Sequence, residues 1–166
     1  MTLSVNHEQR AEHPVDLIER IATANQWTFE RGDENEITFA VEGTFAAYHV
    51  AFTWLPEMEA LHGACAFDLK VQSAKRNDIL SLVSLINEQL WVGHFDLWSS
   101  DSVVMFRHSL LLTGGMEPGT QQCENLLKTA VDTCESYFQA FQFVLWAGKT
   151  PREALDFAMF ETVGRA

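Results

Sequence analysis

Residues 27–43 read WTFERGDENEITFAVEG, and the spacing of their apolar side chains decides the fold class. Trp27 and Phe29 alternate with Thr28 and Glu30. Arg31 to Asn35, with Gly32 and Asp33 among them, carry turn chemistry. Ile37, Phe39 and Val41 then alternate with Thr38, Ala40 and Glu42. A period of two on both sides of a turn predicts a β-hairpin with one face buried. Just upstream the period is helical: Val15, Ile18, Ile21 and Ala22 recur, with Leu17 beside them, after Pro14 in a first-turn position. This predicts a helix over 14–25. Residues 1–13 are polar and are expected to form a flexible lead to a single domain spanning 14–166.

Downstream, Gly43 breaks the run. FAAYHVAFTWL (45–55) and EALHGACAFDLKV (59–71) predict two more strands, separated by Pro56-Glu57. Gly63 inside the fourth strand marks a bulge or a close approach. The links between these four strands are too short for crossovers, so an antiparallel meander follows. Ser73 can cap a helix over 74–91 whose apolar residues, Ile79, Leu80, Leu82, Val83, Leu85, Ile86 and Leu90, cover more than one face. Gly93 is expected to end it.

HFDLWSSDSVVMFRHSLLL (94–112) is a second hairpin, and TGGMEPG is the loop after it. A long amphipathic helix runs from Thr120 to about Ala147. In GKTPREAL (148–155), Thr150, Pro151 and Glu153 form the start of a last helix with a capping box. The order is α-β-β-β-β-α-β-β-α-α. The fold class is therefore α+β, an antiparallel sheet with packed helices.

The totals narrow the function. The chain has 166 residues, 47% hydrophobic and 20% charged, with 11 basic and 23 acidic side chains giving a net charge of -12. Mean hydropathy is -0.06. Such acidity opposes nucleic-acid binding, because neutralising phosphates needs clustered Lys and Arg. It permits a basic protein or peptide partner. No run approaches the ~18 apolar residues of a membrane helix, and MTLSVNHEQRAEHP does not read as a secretory signal. The expected compartment is the cytoplasm.

Three cysteines, Cys65, Cys123 and Cys134, give no disulfide framework. Cys123 and Cys134, eleven apart, share one face of the long helix. The histidines show no HExxH or HxH spacing, and no phosphate or nucleotide motif is present. Neither metal nor cofactor is expected.

If the second hairpin turns in two or four residues, His94 faces Arg107 and Asp96 faces Met105. His94, Asp96, Trp98, Val103, Met105 and Arg107 then share one face. Asp96 and Arg107 are expected as a structural ion pair. Read as chemistry, the same cluster suggests hydrolysis by His94 with Asp96, or by Cys65 with a histidine. His62 and Cys65, three apart on a strand, point to opposite faces unless Gly63 makes a bulge.

The stretch LINEQLWVGHFDLWSSDSVVMFRHSLLL (85–112) resembles the YbjN-domain proteins, as does YFQAFQFVLWAGKTPREAL (137–155). The matching features are Asn87, Gly93-His94-Phe95, Phe106-Arg107, and Pro151 with Glu153-Ala154-Leu155. The resemblance implies a small bacterial regulator, of the kind labelled sensory transduction regulator, with a fold like the type III secretion chaperones and no established enzymatic activity. A non-enzymatic protein-binding module is therefore the leading expectation. Trp98 and Met105 on the outer hairpin face, together with Trp54, are its candidate contacts. The other readings are a small hydrolase and a structural homodimer formed through the two-sided helix 74–91.

Overall fold

The computed structural model describes residues 10–163. The elements are α1 (Pro14–Ala24), β1 (Phe29–Asp33), β2 (Glu36–Glu42), β3 (Ala47–Leu55), β4 (Ala60–Lys70), a 3-10 turn (Ser73–Lys75), α2 (Arg76–Asn87), β5 (His94–Trp98), β6 (Val103–Leu111), α3 (Thr120–Trp146) and α4 (Pro151–Val163). They form one antiparallel sheet in the order β1-β2-β3-β4-β6-β5. The first four strands are the expected meander. Because β4 and β5 each pair antiparallel to β6, they run parallel to one another. The connection through α2 is a crossover, and β6 fills the gap it leaves.

The strands turn most of their large apolar residues to the same side. Ile37 and Phe39, Tyr48 to Trp54, Leu61 to Leu69, Phe95 and Leu97, and Val104 and Phe106 supply them at alternate positions. The helices cover that side, and a single core cluster results. α3 contributes Cys123, Leu126, Ala130, Cys134, Phe138, Phe141 and Val144. At its centre the Phe141 ring lies 5.3 Å from Phe67 and 5.4 Å from Phe95. Such contacts add about 0.5–1.5 kcal/mol each beyond the burial of area.

Several expectations need correction. β1 extends through Asp33, so the first turn is only Glu34-Asn35, and Gly32 lies in the bulged part of the strand instead of the turn. Arg31 holds this edge to α1 through Glu19 (2.5 Å) and Asp16 (3.1 Å). At Gly63 the β3–β4 register is unbroken, and the Phe52 ring lies 3.1 Å from where a Cβ would stand. Close approach, not a bulge, is the reason for that glycine. Ser73 opens the 3-10 turn and does not cap α2, which has no side-chain cap.

The expected helix 74–91 ends at Asn87. Its side chain turns away to bond the edge strand: Asn87 Oδ1 accepts from the Phe95 N–H (2.8 Å), and Asn87 Nδ2 donates to the Phe95 carbonyl (3.0 Å). Gly93 is then an entry to β5 at φ +68, not a helix cap. Ile79, Leu82, Val83 and Ile86 of α2 are buried, and α2 packs against β5, α3 and α4. Contacts within the chain account for much of its two-sided apolar character, while Leu80 stays 40% exposed.

Of the expected flexible lead, residues 1–9 lie outside the described residues. Residues 10–13 are bound to the domain. His13 Nδ1 accepts from the Val15 N–H and caps α1. Arg10 reaches Glu59 at 2.6 Å and donates to the carbonyls of Leu112 and Met116. Glu59 is 1% exposed, and its carboxylate also accepts from the N–H groups of Gly114 (3.1 Å) and Gly115 (3.3 Å). Arg10 first, and these two amides with it, hold the Glu59 carboxyl below its ordinary pKa against the opposing effect of burial. A depressed carboxyl pKa stabilises the fold fully above the unfolded value, about 4.3. That stabilisation is lost as pH falls through the lower folded value. Glu59→Gln is therefore expected to lower Tm by a few degrees at pH 7, with the difference from wild type vanishing in acid; thermal melts between pH 7 and pH 3 measure it.

Candidate interaction face

Among the described residues, none covers the side of the sheet opposite the helices, and this side is the bare face. Alternation along each strand sends Thr38 and Ala40, His49 and Ala51, Ala64 and Ala66, Met105 and Arg107, and His94 and Asp96 to it. The register lines them up across neighbouring strands. Four alanines at the centre leave a shallow groove of about 390 Å³ bordered by His49, Thr38 and Met105.

The four-residue turn between β5 and β6 puts His94 opposite Arg107 and Asp96 opposite Met105. Arg107 is the hub of the polar part of this face. Its Nη1 stands 3.2 Å from Asp96 Oδ2, and its guanidinium carbon 5.7 Å from the Trp98 ring centre. Both partners of the ion pair are partly exposed, which limits its worth to about 0–1 kcal/mol. Arg107 Nε also points at His62 Nε2 at 3.4 Å. Arginine only donates, so Nε2 is the acceptor, and the imidazole proton sits on Nδ1, 2.8 Å from Ser109 Oγ. Burial first, then the charge of Arg107, lowers the His62 pKa and keeps the ring neutral.

Of the two hydrolase pairings, the structure separates Cys65 from the histidines and leaves His94 and Asp96 on one face without a hydrogen bond between them among the described residues. Cys65 is fully buried on the core side, while its strand neighbour His62 and the facing strand's His49 project to the bare side. Asp96 is taken by Arg107. No group of three or more potential metal ligands converges among the described residues. No helix among them is long and apolar enough to cross a membrane.

Of the candidate contacts, Trp98 is 42% exposed and Met105 is half-buried on the bare face. Trp54 is not there. It continues the inward series Tyr48, Val50, Phe52 and is 6% exposed, with the Arg10 guanidinium 4.6 Å above its ring. That parity was legible in the sequence and excludes Trp54 as a surface contact. Sequence reasoning also missed a second groove of about 380 Å³ between α1, β2 and α3, floored by Ile21, Trp27, Val41, Leu127 and Val131. The helix and strand periods predicted those residues separately but gave no sign that they converge.

The features shared with YbjN-domain sequences prove to be scaffold. Asn87 closes a sheet edge, Gly93 turns the chain, and Thr150 and Glu153 exchange the two hydrogen bonds of a capping box. Among solved structures, the chain is similar to the crystal structure of YbjN from E. coli, described as "a putative transcription regulator". The TM-score is 0.52 at 9% identity, covering 81% of this chain and 90% of that one, so the likeness concerns the fold. No match is found among curated proteins. The YbjN family model, described as "Putative bacterial sensory transduction regulator", matches residues 14–143. That span runs from the start of α1 through most of α3, and the chain belongs to the YbjN family.

Proposed function

We propose that this chain is a cytoplasmic, non-enzymatic regulatory module that acts by protein–protein contact through the bare face of its sheet. The observation that carries the proposal is the chemistry of that face. An antiparallel sheet with one solvated side normally turns polar residues to water. Here the centre is alanine with Met105 beside it, and Trp98 stands exposed on the edge strand β5. The family description as a regulator supports the same reading, and the burial of Cys65 away from the histidines and the pairing of Asp96 with Arg107 favour it over hydrolysis.

Trp98 and Met105 are the contact residues to test. Aromatic and methionine side chains are enriched in interface centres, and truncating one well-packed anchor costs about tenfold or more in affinity. The double variant Trp98→Ala, Met105→Ala should keep its circular dichroism spectrum and lose most of the protein captured by the full chain from its native cell, quantified by mass spectrometry. Undiminished capture would remove the bare face from the site.

A further inference from the structure

Two neighbouring rows of side chains cross the bare face. One runs Ala40, His49, Ala66, Met105, Asp96. The next runs Glu30, Thr38, Ala51, Ala64, Arg107, His94. The two ends of the sheet differ in charge. The β1–β2 end carries Glu30, and further along β2 the outward residues Glu36 and Glu42. The β6–β5 end carries His94 and the Arg107–Asp96 ion pair, and has no net acidity.

Two sheets can stack face to face about a two-fold axis lying between them. With the axis across the strands, the acidic end would meet itself. With the axis along the strands, between β3 and β4, each row meets its own reverse. Glu30 then faces His94 of the second copy, and Thr38 faces its Arg107. Met105 faces its Ala40, and His49 its Ala66. Ala51 faces its Ala64. The Glu30 carboxylate meets an imidazole and Arg107 a hydroxyl, no acid meets an acid in these rows, and Met105 and His49 each meet an alanine.

We infer that the partner covering this face is a second copy of this chain, in a sheet-on-sheet dimer whose two-fold axis runs along the strands between β3 and β4. The inference rests on the reading of the bare face as the contact surface. The geometry is isologous, as a two-fold contact requires. Six strands at the usual spacing offer roughly 600 Å² of face from each copy. The total is at the lower end of what stable interfaces bury. Sheet twist sets aligned sandwiches at about -30°, so the match is closest in the central strands, where the alanines are.

Sedimentation and light scattering of the full chain at tens of micromolar test the inference. The expected mass is twice the 18.8 kDa of one chain. Ala64→Arg places an unpaired charge where Ala64 meets Ala51, and should weaken the dimer about 100-fold with an unchanged circular dichroism spectrum. Ala40→Met should also weaken it, and adding Met105→Ala should restore it. A wild-type chain of single-copy mass, or an Ala64→Arg variant that stays dimeric, overturns the inference.

Cross-linking covers the case in which Ala64→Arg does not fold. Singly substituted Ala51→Cys and Ala64→Cys chains, mixed and treated with a short bismaleimide that spans the roughly 10 Å between facing sheets, should yield a cross-linked pair, and its absence overturns the inference. A monomeric wild type whose Trp98→Ala, Met105→Ala variant still loses captured protein overturns the dimer and leaves the contact face standing. A monomeric wild type with unchanged capture removes both.

Discussion

Gly93→Ala is expected to destabilise the protein by about 4 kcal/mol, enough to lower Tm by about 10 °C or more in a chain of this size. Two costs act at this position. The backbone sits at φ +68, where an L side chain meets its own carbonyl. A Cβ there would also lie 2.2 Å from Phe106 Cζ and 2.9 Å from the Arg107 carbonyl oxygen. Phe106 is fully buried, and the Arg107 carbonyl belongs to the strand beside it. Neither can yield without moving β6 against the core. Gly148 is the internal control. Its φ is +66, but among the described residues no atom beyond its chain neighbours lies within 4 Å of its would-be Cβ. Gly148→Ala should therefore cost only the conformational share, about 1 kcal/mol. Equal losses for the two variants in urea unfolding would show that the contact with Phe106 carries no weight.

Asn87→Leu is the second large effect, at about 3 kcal/mol. β5 is an edge strand, and at Phe95 its outward N–H and carbonyl are both bonded by the Asn87 amide. Leucine has a similar volume and offers neither hydrogen bond, so two part-buried backbone groups lose their partners at once. Asn87→Asp keeps the acceptor for the N–H but presents a second oxygen to the carbonyl, and should recover at most part of the loss. Hydrogen exchange at the Phe95 amide gives the local readout, with protection falling in step with global stability. Unchanged protection in Asn87→Leu would mean that another group closes this edge.

How far the sequence discloses this fold depends on the reach of each interaction. Alternation of period two placed β2, β3, β4 and β6, because burial on one face acts residue by residue. The capping box at Thr150 and Glu153 was legible because both partners lie within four residues. The end of α2 was not: helical spacing continues through Leu90, and Asn87 leaves the helix for a strand eight residues ahead. The Arg10–Glu59 pair joins residues 49 apart across a turn whose Glu59 sits at φ +47, and no local pattern announces it. The bare face is an intermediate case. Its residues were assigned to strands one by one, but their rows exist only once β6 is known to lie between β4 and β5.

That placement of β6 also sets an order of events. The four-stranded meander and α1 are built from contacts between neighbours in the chain and can form early. β4 gains its second hydrogen-bonding partner only when Val103–Leu111 has been synthesised and returned past α2. Until then an eleven-residue strand holding Leu61, Cys65 and Phe67 presents an open edge, the kind of template on which unfinished chains associate. The closure that joins β4 to β6 spans the longest gap between paired strands in the sheet. It is the step in which folding speed is most sensitive to chain connectivity.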